Sequence, residues 1–233
     1  MKKTTQDKLP QHIGIMIDGN RRWARSKGLP TFTGHLKGIQ RAVEIVDYAF
    51  QKGIKVLTLY GFSTENWKRS KEEVSYLMDL FFQFAKKYAP IFHEKGIRFR
   101  HIGRKDRLPS KLIKEIRKAE ELTKENSRMV LNIALDYGGR DEIVRAVKRI
   151  MKQGIPEEQI TEKLILENLD TNGLPDVDLV IRTSGEMRLS NFLPLQSTYA
   201  ELYFPKIYWP DFTPQQFDVA LEEFAHRQRR FGK

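Results

Sequence analysis

The run His12-Ile13-Gly14-Ile15-Met16-Ile17-Asp18-Gly19-Asn20-Arg21-Arg22-Trp23 constrains this chain more than any other stretch. Ile13, Ile15, Met16 and Ile17 form a short segment apolar enough for a buried parallel strand, and it stops abruptly at a carboxylate. Asp18-Gly19-Asn20 supplies turn chemistry before a helix that begins near Arg21. Backbone N–H groups at a helix start attract anions, and two guanidiniums beside them strengthen that preference. Asp18 is then out of place, because a carboxylate repels an anion unless a cation sits between them. The corner therefore suits a phosphate or diphosphate bound through a metal, with Mg2+ the natural choice. The alternative is a solvated turn in which Asp18 and Asn20 merely cap the helix.

At 233 residues, 40% hydrophobic and 30% charged, the chain can bury a substantial core as one domain over residues 1–233. No linker-like stretch divides it. Residues 1–8 are expected to be disordered and 227–233 to form a mobile basic tail. Cysteine is absent, which excludes disulfides and thiolate metal sites and fits a cytoplasmic protein. No export signal or membrane-spanning run is evident. The formal net charge of +11 calls for an anionic partner: nucleic acid, an anionic membrane surface, or phosphorylated substrates. The basic residues are dispersed through amphipathic segments and form no recognisable nucleic-acid module, so no nucleic acid is expected.

Apolar β-rich runs alternate with helical patterns, which predicts an α/β fold with a mainly parallel central sheet flanked by helices. After the first strand, a helix over 36–51 carries Ile39, Ala42, Val43, Val46 and Ala49 on one stripe and stops at Gly53. Further strands are expected at 55–60, 97–102, 129–135 and 178–182, with a short apolar segment at 201–204. Helices are expected at 110–123, at 141–152 and after the Thr213-Pro214-Gln215-Gln216 capping box. Ser70-Lys71-Glu72-Glu73 opens a long helix toward Glu94, kinked at Pro90. Its apolar residues, among them Leu77, Met78, Phe81, Phe82, Phe84 and Tyr88, cover more than one stripe. Such a helix is buried on two sides, or walls an apolar cavity as well as the core.

Several strands end in polar loops, and in an open parallel sheet such loops gather at the carboxyl edge, where ligands bind. Three corners form a consistent set: Asp18 with Arg21 and Arg22, Ser63 through Arg69, and Arg182 with Arg188 and Ser190. Arginines and serines around a carboxylate suit a metal-bridged diphosphate. Gly-x-Ser-x-Gly, the P-loop and His-Glu-x-x-His are all missing, and His12, His35, His93, His101 and His226 lack metal-ligand spacing. His35, just after Gly34, either donates to a phosphate or serves as a capping or packing residue.

Linked motifs then identify a family. Asp18-Gly19-Asn20-x-Arg22-Trp23, Gly34-His35, Phe62-Ser63-Thr64-Glu65-Asn66-Trp67-x-Arg69, Asn132-Ile133-Ala134, Tyr137-Gly138-Gly139-Arg140, Ile181-Arg182-Thr183-Ser184-Gly185-Glu186-x-Arg188-x-Ser190-Asn191-Phe192 and Trp209-Pro210-Asp211-Phe212 resemble the cis-prenyltransferases. The likeness is greatest to the bacterial undecaprenyl diphosphate synthase branch, and it covers residues 9–232 with order and spacing kept.

The resemblance implies a Mg2+-dependent homodimer that condenses isopentenyl diphosphate repeatedly onto an allylic diphosphate starter, usually farnesyl diphosphate, with cis double bonds. The implied product is undecaprenyl diphosphate for a cell-wall lipid carrier, with peripheral contact to a membrane for its release. By the same resemblance Asp18 holds the metal and assists loss of the allylic diphosphate, which Gly19, Asn20, Arg21, Arg22, His35 and the Thr31 position grip. Trp23 and Trp67 line the prenyl site. Ser63, Thr64, Glu65 and Arg69 surround Asn66, and Arg182, Arg188, Leu189 and Ser190 take the diphosphate of isopentenyl diphosphate. Glu201 helps the metal, and Arg230-Phe231-Gly232 closes over a diphosphate. Asn66 holds the position named as proton acceptor, yet a neutral carboxamide is a poor base. It better orients the homoallylic group while a diphosphate oxygen takes the proton.

A dry tunnel for the product is expected along Phe81, Phe82, Phe84 and Tyr88, with Met129 at its floor. Thr31 stands where the family usually has arginine, Gly61 where alanine is common, and Pro194-Leu195 where Leu-Trp is common. A noncatalytic partner subunit of the same fold would be expected to lose Asp18, Asn66 or the Arg182/Arg188 pair, and this chain keeps all four. A basic nucleic-acid-binding protein is the other competing class.

Overall fold

The chain is described by a computed structural model covering residues 9–227. Residues 1–8 and Arg230-Phe231-Gly232 lie outside the described residues. β1 (His12–Met16) is buried at every position, as its apolar run requires. It lies inside one six-stranded sheet with β2 (Val56–Ser63), β3 (Ile97–Ile102), β4 (Met129–Tyr137), β5 (Leu179–Arg182) and β6 (Glu201–Tyr203). All pairs are parallel, in the order β3-β4-β2-β1-β5-β6. β1 and β5 are therefore neighbours, with Met16 opposite Arg182, which brings the turns that follow them together.

One face of the sheet carries the larger core. Ile13, Ile15, Leu57, Leu59, Leu131 and Ile133 pack there against α2 (Thr31–Lys52), α3 (Lys71–Glu94), α4 (Ser110–Thr123) and α7 (Pro214–His226). Each such fully buried aliphatic side chain contributes about 1.5–3 kcal/mol. On the other face Met16, Ala134 and Val180 meet Phe192 and Leu193. The short helix α1 (Asn20–Ser26) follows the first corner, and α5 (Gly139–Lys152) and α6 (Glu162–Glu167) complete the helices.

The structure moves several boundaries. α2 starts at Thr31 rather than near Leu36, and its first turn leaves Phe32 54% exposed. No apolar stripe announces that turn. It is set by packing, because a Cβ on Gly34 would lie 2.1 Å from the Asn20 carbonyl oxygen and one on Gly38 2.5 Å from Asn20 Oδ1. Gly53 ends α2 with φ 83, the left-handed stop its sequence indicates. α3 runs through Pro90 to Glu94, and Ser70 Oγ caps it by accepting from Glu73 N at 3.2 Å. Thr213 makes no such bond, so the start of α7 relies on Pro214 in its first turn.

A buried polar ladder crosses the sheet. His12 Nδ1 meets the Pro175 carbonyl at 2.8 Å and so carries the proton, leaving Nε2 to accept from Thr58 Oγ1 at 2.8 Å. Thr58 Oγ1 in turn accepts from Asn132 Nδ2 at 3.0 Å. Burial lowers the pKa of His12, and likewise that of His101, from 6.5 to about 4. The unfolded chain takes up these protons first, so the stability is complete above pH 6.5 and falls as pH drops toward 4. At 1.36 kcal/mol per unit, a depression of that size is worth roughly 3 kcal/mol for each histidine. Urea unfolding at pH 7.5 and 4.5 should show this loss, and His101→Gln should flatten the slope; an unchanged slope in that variant would contradict the assignment.

Candidate active site

Turns after β1, β2, β4 and β5 meet at the carboxyl edge around a cavity of about 1060 Å3. Six arginines, Arg21, Arg22, Arg25, Arg69, Arg140 and Arg182, line it against two carboxylates, Asp18 and Glu65. Ile17, Ile39, Leu77, Leu80 and Phe81 supply apolar wall. Charged and apolar side chains thus share the wall of one cavity.

Asp18 sits where the first and third expected corners meet. Its Oδ1 accepts from Arg22 Nη2 at 3.1 Å and its Oδ2 from Arg182 Nη2 at 3.0 Å. Burial alone would raise the Asp18 carboxyl; the hydrogen bond and charge of Arg182, then those of Arg22, outweigh it and hold the carboxyl below the usual range. Gly19 turns the chain with φ 103, and a Cβ there would lie 2.8 Å from the Tyr208 ring, so both conformation and space demand glycine. Arg182 is buried; its Nη1 also donates to the Arg188 carbonyl at 2.6 Å and to Ser190 Oγ at 2.8 Å. Its Nε and Asn20 Oδ1 are buried with no hydrogen-bond partner among the described residues.

The second corner is a 3-10 turn, Thr64–Lys68, closed by a reciprocal cap. Asn66 Oδ1 accepts from Ser63 N at 3.1 Å, while the Ser63 side chain takes the Asn66 N–H. The carboxamide oxygen thereby accepts within the turn, leaving Nδ2 as the group able to donate to a ligand. Ser63, Glu65, Asn66 and Arg69 line the cavity. Thr64 does not; its Oγ1 lies where a Cβ on Gly138 would be, 2.7 Å away.

Glu73 is a site residue that its sequence role as a helix cap concealed. It receives Arg69 Nη1 at 3.1 Å, His35 Nε2 at 3.3 Å and Arg21 Nη1 at 3.7 Å, joining three groups of the cavity wall. Burial first, then Arg69, lowers the His35 pKa against the pull of Glu73. Neutral His35 donating through Nε2 leaves Nδ1 an acceptor, so this geometry lets it donate to a phosphate only when doubly protonated. Arg25, Arg140 and Asn191 also line the cavity beyond the expected set; for Arg25 the signal was its place one helical turn after Arg21.

This geometry does not bring several other expected residues to the wall of the large cavity. Trp23 is buried and its Nε1 donates to Asp211 Oδ1 at 2.9 Å, while Trp67 Nε1 donates to Asp136 Oδ1 at 2.8 Å; neither lines the large cavity. Thr31 at the start of α2 does not line it either. Arg188 is spent on Glu186 at 2.5 Å, and Leu189 packs on the smaller core. Glu201 lies on edge strand β6 opposite Leu179, three residues before Arg182, and pairs with Arg227 at 3.2 Å. It does not join Asp18 within this chain, because the register places it well back from the carboxyl edge. Among the tunnel candidates only Phe81 lines the cavity; Tyr88 stacks with Phe92 and Phe84 meets it at a tilt, Phe82 lies under Lys111, and Met129 starts its strand opposite Ile97, away from that edge. Among the described residues no cluster of three or more His, Cys, Asp or Glu side chains could hold a metal alone.

Comparison with known proteins places this geometry. A family model described as "Putative undecaprenyl diphosphate synthase" matches residues 15–232. The chain is 49% identical over 227 residues to an isoprenyl transferase of Thermotoga maritima, and 48% identical over 226 residues to one of Aquifex pyrophilus, covering 97% of each chain in both cases. Its fold matches lavandulyl diphosphate synthase from Lavandula x intermedia in complex with dimethylallyl diphosphate, with TM-score 0.93, 35% identity, and 97% and 100% of the two chains covered. It also matches a probable undecaprenyl diphosphate synthase from Campylobacter jejuni, with TM-score 0.81, 34% identity, and 96% and 99% covered. Matches over nearly the whole length, on a fold whose strand ends converge on one arginine-rich cavity, show that the chain belongs to the cis-prenyltransferase family and is a prenyl transferase.

Proposed function

We propose that this protein condenses isopentenyl diphosphate processively onto an allylic diphosphate starter, farnesyl diphosphate fitting best, to give a polyprenyl diphosphate of the undecaprenyl type. The observation that carries this reading is the contact between Asp18 and Arg182 in the wall of a cavity that Ile17, Ile39, Leu77, Leu80 and Phe81 also line. Two arginine-bearing corners side by side suit two diphosphates, and an apolar wall suits a growing prenyl chain. Burial at about 0.8 kcal/mol per CH2 would favour elongation until that space is filled.

The donor set fits Mg2+ shared with substrate. One carboxylate held below its ordinary pKa is in the ionised state a metal ligand needs, and Mg2+ is commonly held by one or two carboxylates with substrate phosphates and water. Asp18 would hold it, and the ion would neutralise charge developing on the departing diphosphate. Arg21, Arg22 and the backbone after Gly19 bind and orient the starter diphosphate; Arg182 and Ser190 hold that of isopentenyl diphosphate. Asn66 orients the homoallylic group, and the proton passes to a diphosphate oxygen.

Incubation with labelled isopentenyl diphosphate, an allylic starter and Mg2+ should give labelled polyprenyl diphosphates, and no incorporation with geranyl, farnesyl or geranylgeranyl starters would overturn the proposal. Asp18→Ala should lower turnover about a hundredfold or more, the scale of several kcal/mol of transition-state charge stabilisation. Gly61 lies on the cavity wall, where a Cβ would sit 2.9 Å from Leu135 and 3.2 Å from the Phe81 ring. Gly61→Ala should therefore shorten the product distribution, read by chromatography of the dephosphorylated chains.

The same reading includes a homodimer and a peripheral membrane contact. Val144, Val147 and Met151 are 52%, 42% and 74% exposed at successive turns of α5, which suits a second copy of this chain. Met151→Glu should weaken self-association at least tenfold in sedimentation experiments. Exposed Leu29, Phe32 and Leu36, beside Arg25, Lys27 and Lys37, suit an anionic membrane surface.

A further inference from the structure

We propose that Asp136 and Arg107 form a clamp on Trp67 that fixes the catalytic turn Thr64–Lys68, making Asp136 a positioning residue for Asn66. The inference rests on the role of Asn66 given above.

The clamp originates in a defect of the sheet. Along β4, Leu131, Ile133 and Leu135 belong to the core on the α3 side and Ala134 to the opposite core. Regular alternation would send residue 136 with Ala134. Instead the register against β2 slips, with Phe62 opposite Leu135 and Ser63 opposite Tyr137, and Asp136 takes φ 51. Tyr137 occupies the place beside Ala134, while the Asp136 carboxylate meets Trp67, which packs on the other core. A bulge that re-aims one side chain next to a site is a recurrent device, here built on a residue in an uncommon conformation.

The carboxylate is fully buried, and both of its oxygens accept hydrogen bonds. Oδ1 accepts from Trp67 Nε1 at 2.8 Å and from Arg107 Nη2, and Oδ2 accepts from Arg107 Nε at 2.8 Å. The Arg107 guanidinium also lies over the Trp67 ring, 5.6 Å from its centre. The backbone is held as well, since the Asp136 carbonyl accepts from Arg104 N at 3.0 Å. A Cβ on Gly103, at φ +118, would lie 2.9 Å from that oxygen. Arg107 thus comes from a loop that is itself fastened to the strand end.

Trp67 follows Asn66 directly and faces a second, smaller cavity of about 470 Å3 that it lines with Arg107 and Arg69. The turn is consequently held on two sides: by the Ser63–Asn66 cap toward the large cavity, and by the Asp136–Arg107 clamp away from it. Without the clamp, the turn keeps its cap but loses the anchor that sets its place against β4.

The test uses full-length protein labelled with 5-fluorotryptophan. The chain has three tryptophans, Trp23, Trp67 and Trp209, so three fluorine resonances are expected, with that of Trp67 assigned by its loss in Trp67→Phe. Asp136→Ala should move or broaden the Trp67 resonance alone. It should also lower kcat/KM for isopentenyl diphosphate at least tenfold while starter affinity stays within twofold. Asp136→Asn keeps an acceptor for the indole N–H and should retain turnover within about threefold of the wild type. An unmoved Trp67 resonance in Asp136→Ala, or equal losses toward both substrates, would overturn the clamp. If Asp136→Ala fails to fold, Trp67→Phe should show the same selective loss, and normal turnover in it would be equally decisive. Absence of incorporation by the wild type would instead defeat the proposed reaction, leaving the fluorine result to decide whether the clamp exists.

Discussion

A buried guanidinium governs the carboxyl edge of this sheet. Arg182 keeps only 7% of its side chain exposed, and removing such a charge from water costs several kcal/mol even after relaxation. The molecule offsets that cost with Asp18, Ser190 and the Arg188 carbonyl, each supplied by a turn that strand order has put in reach. Met16 lies opposite Arg182 across the β1–β5 pair, so the residue two places after β1 meets the last residue of β5. Any other strand order would separate them. A buried ion pair is weak evidence for stability, and this one is better understood as a means of holding two anion-binding corners in one place.

The balance of charge around the cavity follows from that placement. Six arginines against two carboxylates leave an excess positive field in a concave, partly dry space, which suits ligands carrying several negative charges. The apolar part of the wall selects differently. Ile39 from α2 and Leu77, Leu80 and Phe81 from α3 line the cavity as well as packing in or against the main core, which is why the apolar surface of α3 is broader than one stripe. A ligand with a multiply charged head and a hydrocarbon tail satisfies both halves at once.

What was legible in the sequence divides along physical lines. Strands of β-branched and aliphatic residues alternating with amphipathic helices announced a parallel α/β sheet, and the polar ends of those strands announced its ligand edge. Local pattern fails where packing decides. The first turn of α2 has no apolar stripe and exists because Gly34 and Gly38 admit Asn20. Trp23 and Trp67 were expected to face a prenyl chain, but their indole N–H groups find the carboxylates of Asp211 and Asp136, partners far away in sequence. Glu201 could not be located without the register of β6, and Asp136 could not be recognised without the bulge that turns it.

Glu73 illustrates why such remote partners matter to chemistry. Alone, the N–H at its position only donates to the Ser70 cap, yet its carboxylate gathers Arg69 from the end of the Thr64–Lys68 turn, His35 from α2 and Arg21 from α1. Three cationic or polar groups from three elements are thereby held at short range before any ligand arrives. Long side chains on a surface would pay rotamer entropy on binding, of the order of 0.5–1.5 kcal/mol each. Here that ordering is done during folding, and arginine has more N–H donors than one carboxylate can occupy. Fixing the cations through an acid off the cavity wall leaves the remaining donors for an anion, which is the preorganisation that an electrostatic active site requires.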